Sequence, residues 1–250
     1  MKKQSNLYTI LYIIIIVVVV GTALAVTSMS LKDRQQENSD ADKMRQILAS
    51  VHVTAAESQK VSDLFKQYIT DQYIVNSEGK KVDGDAFTVN VQAQSKITDV
   101  SERLLPVYVC QLPDQGVKYI LPVYGAGLWG PIWGYVAVDA DGSTIFGAYF
   151  AHQGETPGLG AEIEKPYFSD QFDGKHLFKD GGFYPIQVVK KGMKPVGDAD
   201  YVDGISGGTI TSKGVSAMLQ DCLDPYQAFL KGLAEDYDVK VTLISEILSK

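Results

Sequence analysis

An uncharged apolar stretch from Leu7 to Met29 constrains this chain more than any other feature of its sequence. At 1.5 Å per residue, a helix over this stretch is roughly 35 Å long, enough to cross the ~30 Å hydrocarbon core of a bilayer with some tilt. Its run of isoleucine and valine residues is poor helix material in water, but lipid offers the backbone no partner other than itself. The sequence therefore predicts one N-terminal transmembrane helix, with residues 1–30 as a membrane anchor.

The alternative to an anchor is a cleaved signal peptide, because Ala23-Leu24-Ala25 has the form of a cleavage signal. Signal peptides have apolar cores of about 7–15 residues, and this stretch is longer, so the retained anchor is favoured. Lys2 and Lys3 precede the span, whereas the basic residues that follow it are interspersed with acidic ones. This charge distribution favours an N-terminus in the cytoplasm and a domain outside it.

The rest of the chain is predicted to hold one domain. Residues 31–45 are mostly polar and are predicted to form a juxtamembrane linker, which leaves residues 46–250 for an extracytoplasmic domain. Apolar residues make up 45% of the chain, enough for a sizeable core. The net charge of −7 argues against nucleic acid and against an anionic lipid surface as partners, because both require a basic surface.

The cysteine and histidine residues do not indicate a metal or cluster site. Cys110 and Cys222 form no CxxC pair, and the histidines stand apart in the sequence, whereas a zinc site needs clustered ligands. Outside the cytoplasm the two cysteines could form one disulfide. The favoured interpretation is that both are buried and free. The histidines are His52, His152 and His176.

Short apolar segments separated by turn residues predict an antiparallel sheet. A capping box at Thr54–Glu57 precedes a predicted helix that ends near Ile69. Beyond Thr211 the apolar residues fall at helical spacing, and Cys222 lies on that stripe. The chain is therefore predicted to be an α+β domain, an antiparallel sheet with packed helices. The predicted strands are a pair over 73–91, single strands at 107–112, 117–123, 134–138, 144–150 and 184–189, and a strand end at 199–202.

Three glycine-bearing segments are candidates for a ligand site. The first, Gly125–Gly130, matches the GxGxxG pattern of dinucleotide-binding folds, but that fingerprint also needs a helix to begin at this point. Pro131 and a predicted strand follow instead, so the segment is interpreted as a glycine-rich β-turn. Its neighbours Leu128, Trp129 and Trp133 either pack in the core or line a pocket.

The second segment runs from His152 to Gly160. His152 and Glu155 have the spacing of metal ligands, but the loop offers no further ligand, and a hydrogen-bonded histidine is the favoured interpretation. Proline and glycine residues between Thr156 and Gly160 allow close approach of the backbone to a planar ligand, and Leu159 could lie against its ring. The simpler alternative is a loop that enters a helix at residues 161–164.

The third segment, Asp203–Lys213, joins a predicted strand to a predicted helix. Small residues at 206–208 expose backbone N–H groups, and a helix N-terminus follows, so the segment is suited to an anion such as phosphate. The lysine at its end adds a cation. Thr211 or Ser212 is expected to cap the helix, whereas Thr209 is expected to precede the cap with its hydroxyl accessible.

This third segment, DGISGGTITS from Asp203 to Ser212, resembles the flavinylation motif of FMN-binding domains, usually written D-G-x-S-G-A-T-x-T-S. In that family a flavin transferase moves FMN from FAD onto the threonine that ends S-G-A-T, which corresponds to Thr209. The motif's alanine is Gly208 here, which loosens the loop without blocking the transferase.

Three further segments, together with the anchor, resemble the C subunit of the Na+-translocating NADH:quinone reductase; they are Gly127–Gly130, Asp139–Gly142 and His152–Gly160. The resemblance implies an FMN electron carrier, anchored in the bacterial cytoplasmic (inner) membrane by one helix. Its partners would be the other subunits of a membrane redox complex and the flavin transferase. NADH would bind another subunit, so no catalytic residue and no metal ligand are assigned to this chain.

The resemblance also implies which residues hold the cofactor. Thr209 would be the covalent tether, through a phosphoester bond to FMN. The residues implied around the phosphate are Ser206, Gly207, Gly208 and Thr211. Those implied along the flavin are Glu155, Thr156, Gly158, Leu159 and Trp129.

Two alternatives remain. The G subunit of the Rnf electron-transport complex shares the motif, the anchor and the cofactor, but the spacing of the 155–161 loop from Gly127–Gly130 favours the C subunit of the reductase. An anchored adaptor without a cofactor is the second alternative, in which Trp129 and Leu159 contact a partner instead of a flavin.

Overall fold

One long helix, α1 (Asn6–Ala49), opens the part of the chain that the computed structural model describes, residues 6–56 and 59–248. This helix has 44 residues and a mean hydropathy of 2.9 over its most apolar window, so by length and composition it can cross a membrane. Residues 31–45, the predicted linker, are helical and continue α1. The chain divides into two compact units, residues 1–43 and 44–250.

Helix α2 (Val61–Tyr68) begins later than the predicted capping box implies. The amide of Gln59 donates to the carbonyl of Ala56 in a turn, and helical hydrogen bonding starts only from the carbonyl of Lys60. Lys60 makes no side-chain capping bond. The capping-box residue Glu57 lies outside the described residues.

The second unit is built on a six-stranded sheet in which every neighbouring pair is antiparallel, as the sequence predicts. Two small two-stranded sheets accompany it, one antiparallel (β7–β8) and one parallel (β9–β10). Across the large sheet the order is β2 (Lys81–Val82), β1 (Ile69–Val75), β3 (Leu105–Leu112), β4 (Gly116–Ala126), β5 (Pro131–Asp139) and β6 (Ile145–His152). The remaining strands are β7 (Phe178–Lys179), β8 (Gly182–Phe183), β9 (Gln187–Val189) and β10 (Tyr201–Asp203).

Two strand predictions were wrong in extent. The predicted pair over 73–91 ends at β2, because the carboxylate of Asp85 accepts from the amide of Phe87 and caps a 3-10 turn, Ala86–Thr88. The predicted strand at 184–189 is limited to β9, since Pro185 lies in it and has no N–H to offer a neighbouring strand.

Helix α5 (Thr209–Leu223) covers one face of the sheet. Its Met218 lies against Gly125 of β4, where an added Cβ would come within 2.7 Å of the methionine Cβ, and Gly214 lies against the carbonyl of Ala126. Phe150 and other apolar side chains of β3–β6 complete this core with α5. The other helices are α3 (Val91–Ser95), α4 (Pro166–Ser169) and α6 (Gln227–Leu248), and 3-10 turns lie at Val100–Glu102, Gly160–Glu164, Asp170–Phe172 and Asp224–Tyr226.

The opposite face of the sheet is closed by residues from the N-terminal part of the unit. The indole N–H of Trp133 donates to the side-chain oxygen of Gln46 over 3.0 Å, and the hydroxyl of Tyr108 donates to the carbonyl of Ala86 over 3.1 Å. Both faces of the central strands are therefore buried, which leaves the ends of the strands and their loops for binding.

Both cysteines are buried and free, as the favoured interpretation predicts. Cys222 lies on the apolar stripe of α5, and its thiol donates to the carbonyl of Tyr124 over 3.3 Å. Burial raises the pKa of the Cys222 thiol, and it raises the pKa of Cys110 to about 11. The two thiols thus belong to the packed interior.

Candidate cofactor-binding site

The three glycine-bearing segments meet at one end of the sheet. The first is the tight turn between β4 and β5, in which the amide of Gly127 donates to the carbonyl of Gly130 over 2.8 Å. The strands on either side are antiparallel, and no helix begins at the turn. The GxGxxG pattern is therefore a hairpin turn, and its rejection as a dinucleotide fingerprint is confirmed.

The buried carboxylate of Glu155 joins the three segments. Glu155 is only 4% exposed. One oxygen, Oε1, accepts from the backbone amide of Trp129 over 2.8 Å, and the other, Oε2, accepts from the hydroxyl of Thr211 over 2.6 Å. One side chain thus fixes the β4–β5 turn and the first turn of α5 relative to the 152–160 loop.

Two glycines leave room for that carboxylate. A Cβ added at Gly127 would lie 2.4 Å from Oε1 of Glu155, and one added at Gly160 would lie 2.3 Å from Oε2. The second Cβ would also come within 2.5 Å of the Thr211 hydroxyl. Any larger residue at either position would therefore displace the carboxylate.

The 152–160 loop is held by its own side chains. Nδ1 of His152 accepts from the amide of Glu155 over 3.1 Å, so this histidine is hydrogen-bonded as predicted. The carboxylate of Glu162 accepts from the amide of Gly158 over 3.1 Å and from the hydroxyl of Tyr167 over 2.9 Å. Gly158 has φ +75°, a conformation that favours glycine. The loop leads into a 3-10 turn at Gly160–Glu164.

The segment from Asp203 to Gly208 is fixed at successive residues. The side-chain amide of Gln171 accepts from the amide of Asp203 over 2.9 Å and donates to its carbonyl over 3.3 Å. The amide of Gly204 donates to the carbonyl of Val189 over 2.7 Å. Beyond these bonds the chain turns at an exposed glycine, Gly207, with φ +77°.

Helix α5 begins at Thr209, so the expected cap positions were wrong. The N-cap is Gly208, and it makes no side-chain capping bond. The hydroxyls of Thr211 and Ser212 are used elsewhere, because Thr211 donates to Glu155 and Oγ of Ser212 accepts from the amide of Ile205 over 2.9 Å. Thr209 therefore belongs to the first helical turn instead of preceding the cap.

The start of α5 offers unpaired backbone donors. Within the described residues, the amides of Thr209, Ile210 and Thr211 donate to no backbone or side-chain acceptor, as is usual for a first helical turn. Thr209 is exposed, and its hydroxyl makes no hydrogen bond in that part of the chain. A nucleophilic oxygen thus stands beside three free N–H groups.

Apolar side chains are exposed around this position. Trp129 is 69% exposed, and Leu159 is 41% exposed and lies against Gly207. Leu128 and Ile210 are also exposed. The structure therefore brings together every site residue that the sequence suggested, on three loops and one helix end.

At Gly208 the chain departs from the flavinylation motif. The alanine of the motif would fit at this position with only small shifts of its neighbours. An alanine Cβ at Gly208 would lie 3.1 Å from Cβ of Ile205 and 3.3 Å from the amide nitrogen of Gly160, which requires shifts of a few tenths of an ångström.

Sequence reasoning missed Gln171, Glu162 and Lys191. The first two orient the glycine-bearing loops, and all three line a depression beside Ser206. They lie outside the three glycine-bearing segments, and a glutamine, a glutamate or a lysine alone does not indicate a binding site. Only the folded arrangement places them beside it.

Comparison with known proteins gives consistent matches. Residues 127–224 match the FMN-binding domain family. The C subunit of the Na+-translocating NADH-quinone reductase of Vibrio anguillarum is 36% identical over 222 residues, covering 83% of this chain and 86% of that protein. The corresponding C subunit of Yersinia pestis is 34% identical over 225 residues, covering 83% of this chain and 84% of that protein.

Solved structures agree with these relatives. The crystal structure of the C subunit from Parabacteroides distasonis has 49% sequence identity and a TM-score of 0.73, and the match covers 80% of this chain and 96% of that one. Shewanella oneidensis NqrC has 28% identity and a TM-score of 0.65, covering 78% of this chain and 97% of that one. The match therefore extends over nearly the whole of each solved chain.

Proposed function

Because the chain belongs to the family of C subunits of the Na+-translocating NADH-quinone reductase, we propose that it carries electrons within such a complex on FMN bound covalently to Thr209. The observation that carries this proposal is the exposed hydroxyl of Thr209 beside the unpaired amides of the first turn of α5, inside the region that matches the FMN-binding domain.

The donor set at this position fits a phosphate group. The amides of Thr209, Ile210 and Thr211 have no acceptor among the described residues, and the helix dipole adds positive potential at the same end. Lys213 is exposed one turn further along α5 and supplies a cation. Gly207 and Gly208 place no side chain over these donors, so an anion can approach the backbone.

Attachment of the cofactor would be the transfer of the FMN part of FAD to the hydroxyl of Thr209. The oxygen of the Thr209 hydroxyl attacks the phosphorus on the FMN side of the diphosphate of FAD. A phosphorus–oxygen bond to Thr209 forms, the bond to the AMP half breaks, and AMP leaves as the hydroxyl proton is lost to a base. A flavin transferase would supply that base and the FAD, which makes it a maturation partner.

The apolar residues around Thr209 suit the flavin ring. Leu159 and Trp129 are exposed on adjacent loops, and the loops themselves are fixed by the carboxylate of Glu155. Thr156 and Gly158 belong to the same loop, and nothing lies within 4 Å of the position that a Cβ would take at Gly158, so a ligand can approach the backbone there. Bound FMN would supply reversible electron transfer, and the protein would set its position and its electrostatic surroundings.

The anchor sets where this electron carrier works. Helix α1 is suited to one membrane crossing, and we propose that the N-terminus lies in the cytoplasm and the FMN domain outside the bacterial inner membrane. The electron donor and acceptor would be other subunits of the complex. The transmembrane stretch from Leu7 to Met29 contains no acidic residue, so this helix offers no carboxylate for Na+.

Intact mass and peptide mapping test the proposal. The full chain, produced in a host with a flavin transferase, should gain the mass of one FMN less one water on the peptide that holds Thr209. Thr209→Val should fold and remain colourless, whereas Thr211→Val should still carry the flavin. Covalent flavin on Thr209→Val would move the tether to another hydroxyl. Absence of flavin from every form would favour the adaptor without a cofactor.

A further inference from the structure

The carboxylate of Glu155 is buried without a counter-ion. Within residues 6–56 and 59–248 it forms no ion pair with a lysine, an arginine or a histidine. Its two partners are neutral, the backbone amide of Trp129 and the hydroxyl of Thr211, and both of them donate. An ionised carboxylate accepts through both of its oxygens in this way. The site thus contains a buried negative charge that no cation pairs in the described part of the chain.

The two hydrogen bonds of Glu155 do not themselves require a charge. A glutamine at this position could accept from the amide of Trp129 and donate to the hydroxyl of Thr211, since a hydroxyl also accepts. Gly127 and Gly160 leave space for a side chain of this shape whether or not it is charged. Burial of an unpaired charge costs free energy that burial of a neutral amide does not. A carboxylate kept at such a cost beside a binding site indicates a function for the charge itself.

This charge lies close to the place that the flavin would occupy. Thr211, to which the carboxylate is bound, shares the first turn of α5 with the proposed tether, Thr209. Trp129 and Leu159, the exposed side chains that suit the ring, lie on the two loops that Glu155 joins. A charge surrounded by protein is screened less than one in water, and its field is felt over roughly 10 Å. The carboxylate would therefore raise the energy of an electron on the ring.

We propose that Glu155 sets the midpoint potential of the bound FMN, because its buried negative charge opposes reduction of the ring. This inference rests on the proposed function. The oxidised and reduced cofactors differ by the added electron, and the carboxylate destabilises the more negative of the two. The effect is largest when the electron is accepted without a proton, since a proton taken up with it neutralises the added charge. Electrons come from and pass to neighbouring subunits, and Glu155 itself neither exchanges a proton nor forms a bond to the cofactor.

Redox titration of the flavin-loaded full chain, followed by its visible spectrum, tests this role. Glu155→Gln keeps the shape and should favour the reduced flavin about tenfold at a given potential, an upward shift of about 59 mV for one electron. The shift should persist at high salt, because a buried charge is screened little. Glu235→Gln is the matched control and should leave the potential unchanged. It removes an exposed charge beside Ala234, which lies against the Gly142 turn at the opposite end of β5 from the site.

The outcomes separate this inference from the function beneath it. Equal potentials for Glu155→Gln and Glu235→Gln, each with normal flavin on Thr209, overturn the role of Glu155 alone. If Glu155→Gln does not fold or carries no flavin, Glu155→Asp and Glu155→Asn form an equally short pair that differs in charge, and the potential of Glu155→Asn must be the higher. Loss of flavin from all three variants assigns Glu155 only to building the site and overturns the inference too. A wild type that never takes flavin overturns the proposed function, and this inference with it.

Discussion

The hydroxyl of Thr211 donates a hydrogen bond of 2.6 Å to Oε2 of Glu155, and both residues are buried. The two lie 56 positions apart in sequence, so this bond fixes the start of α5 against the loop after β6. The same carboxylate binds the amide of Trp129, which makes Glu155 the common point of the site. The hydroxyl of Thr211, a residue named by resemblance as a phosphate neighbour, is thus bound to the carboxylate, and its backbone amide remains unpaired among the described residues.

Removal of the Thr211 hydroxyl should cost stability. Thr211→Val keeps the shape but leaves one oxygen of a buried carboxylate without its donor, at a cost of about 2 kcal/mol. Thr211→Ser keeps the donor and should cost less than half of that. Urea unfolding of the two variants measures the difference, and equal free energies of unfolding would show that the bond contributes nothing.

Gly160 should be intolerant of any side chain. In Gly160→Ala the new Cβ would lie 2.3 Å from Oε2 of Glu155, so the carboxylate must move and release Thr211. We expect a loss of about 1–3 kcal/mol, as for other overpacked sites. Gly154→Ala is the control, because nothing lies within 4 Å of its Cβ. Thermal unfolding compares them, and similar melting temperatures would contradict the steric argument.

A charge at Leu159 should perturb bound flavin. Leu159→Asp places a carboxylate on a side chain that is already 41% exposed, so the fold should survive. The negative charge beside the ring should lower the midpoint potential and change the visible spectrum, because it disfavours the reduced, more electron-rich cofactor. Leu243→Asp, on α6, supplies an equal charge elsewhere. A spectrum and potential identical to those of this control would remove Leu159 from the site.

The two thiols should resist alkylation in the folded protein. Burial raises the pKa of Cys110 from 9.0 to about 11 and also raises that of Cys222, so both are protonated at pH 8. Intact mass after iodoacetamide treatment should show no adduct in buffer and two in denaturant. Rapid labelling of the native form would contradict this burial.

The raised pKa of Cys110 also makes the stability of the fold depend on pH. The folded pKa of Cys110 lies above its unfolded value, so its contribution to stability is complete below about pH 9 and is lost as pH rises through about 11. Chemical denaturation between pH 8 and 11 should show a decline that Cys110→Ala reduces. A decline of equal size in that variant would assign the effect to other groups.

The orientation of the anchor can be tested with one surface cysteine. Glu37→Cys places a reactive thiol on the exposed part of α1 beyond the apolar stretch. A membrane-impermeant thiol reagent should label it in whole cells, after the outer membrane is permeabilised where there is one. Labelling only after lysis of the inner membrane would place residue 37 in the cytoplasm.

Much of this arrangement follows from the sequence alone. Strands β3 to β6 are short apolar runs that end at turn residues, so the runs and the turns between them locate these strands. The segment after Val75 was harder, because Asp85 and Asn90 cap short helical turns in what resembles strand sequence. These caps are local hydrogen bonds, from the amide of Phe87 to Asp85 and from the amide of Ala93 to Asn90, and they compete with strand pairing in this segment.

The site shows the same limit. The glycine pattern and Thr209 are visible in the sequence, but the helix start was misplaced, since the hydroxyls expected to cap it are used by Glu155 and Ile205. Gln171 and Lys191 carry no motif, and only the fold places them beside Ser206. Contacts between segments that are distant in sequence could therefore not be predicted from the sequence.

Helix α5 both covers the apolar face of the sheet and carries Thr209, so the order in which the chain is synthesised affects the core and this residue together. The chain leaves the ribosome N-terminus first, so all six strands of the large sheet emerge before the helix that buries Val123 and Ile132. The interior closes only when that helix arrives. The hydrogen bond between Glu155 and Thr211 can form only after that helix has been made, so an incompletely translated chain lacks both this contact and Thr209.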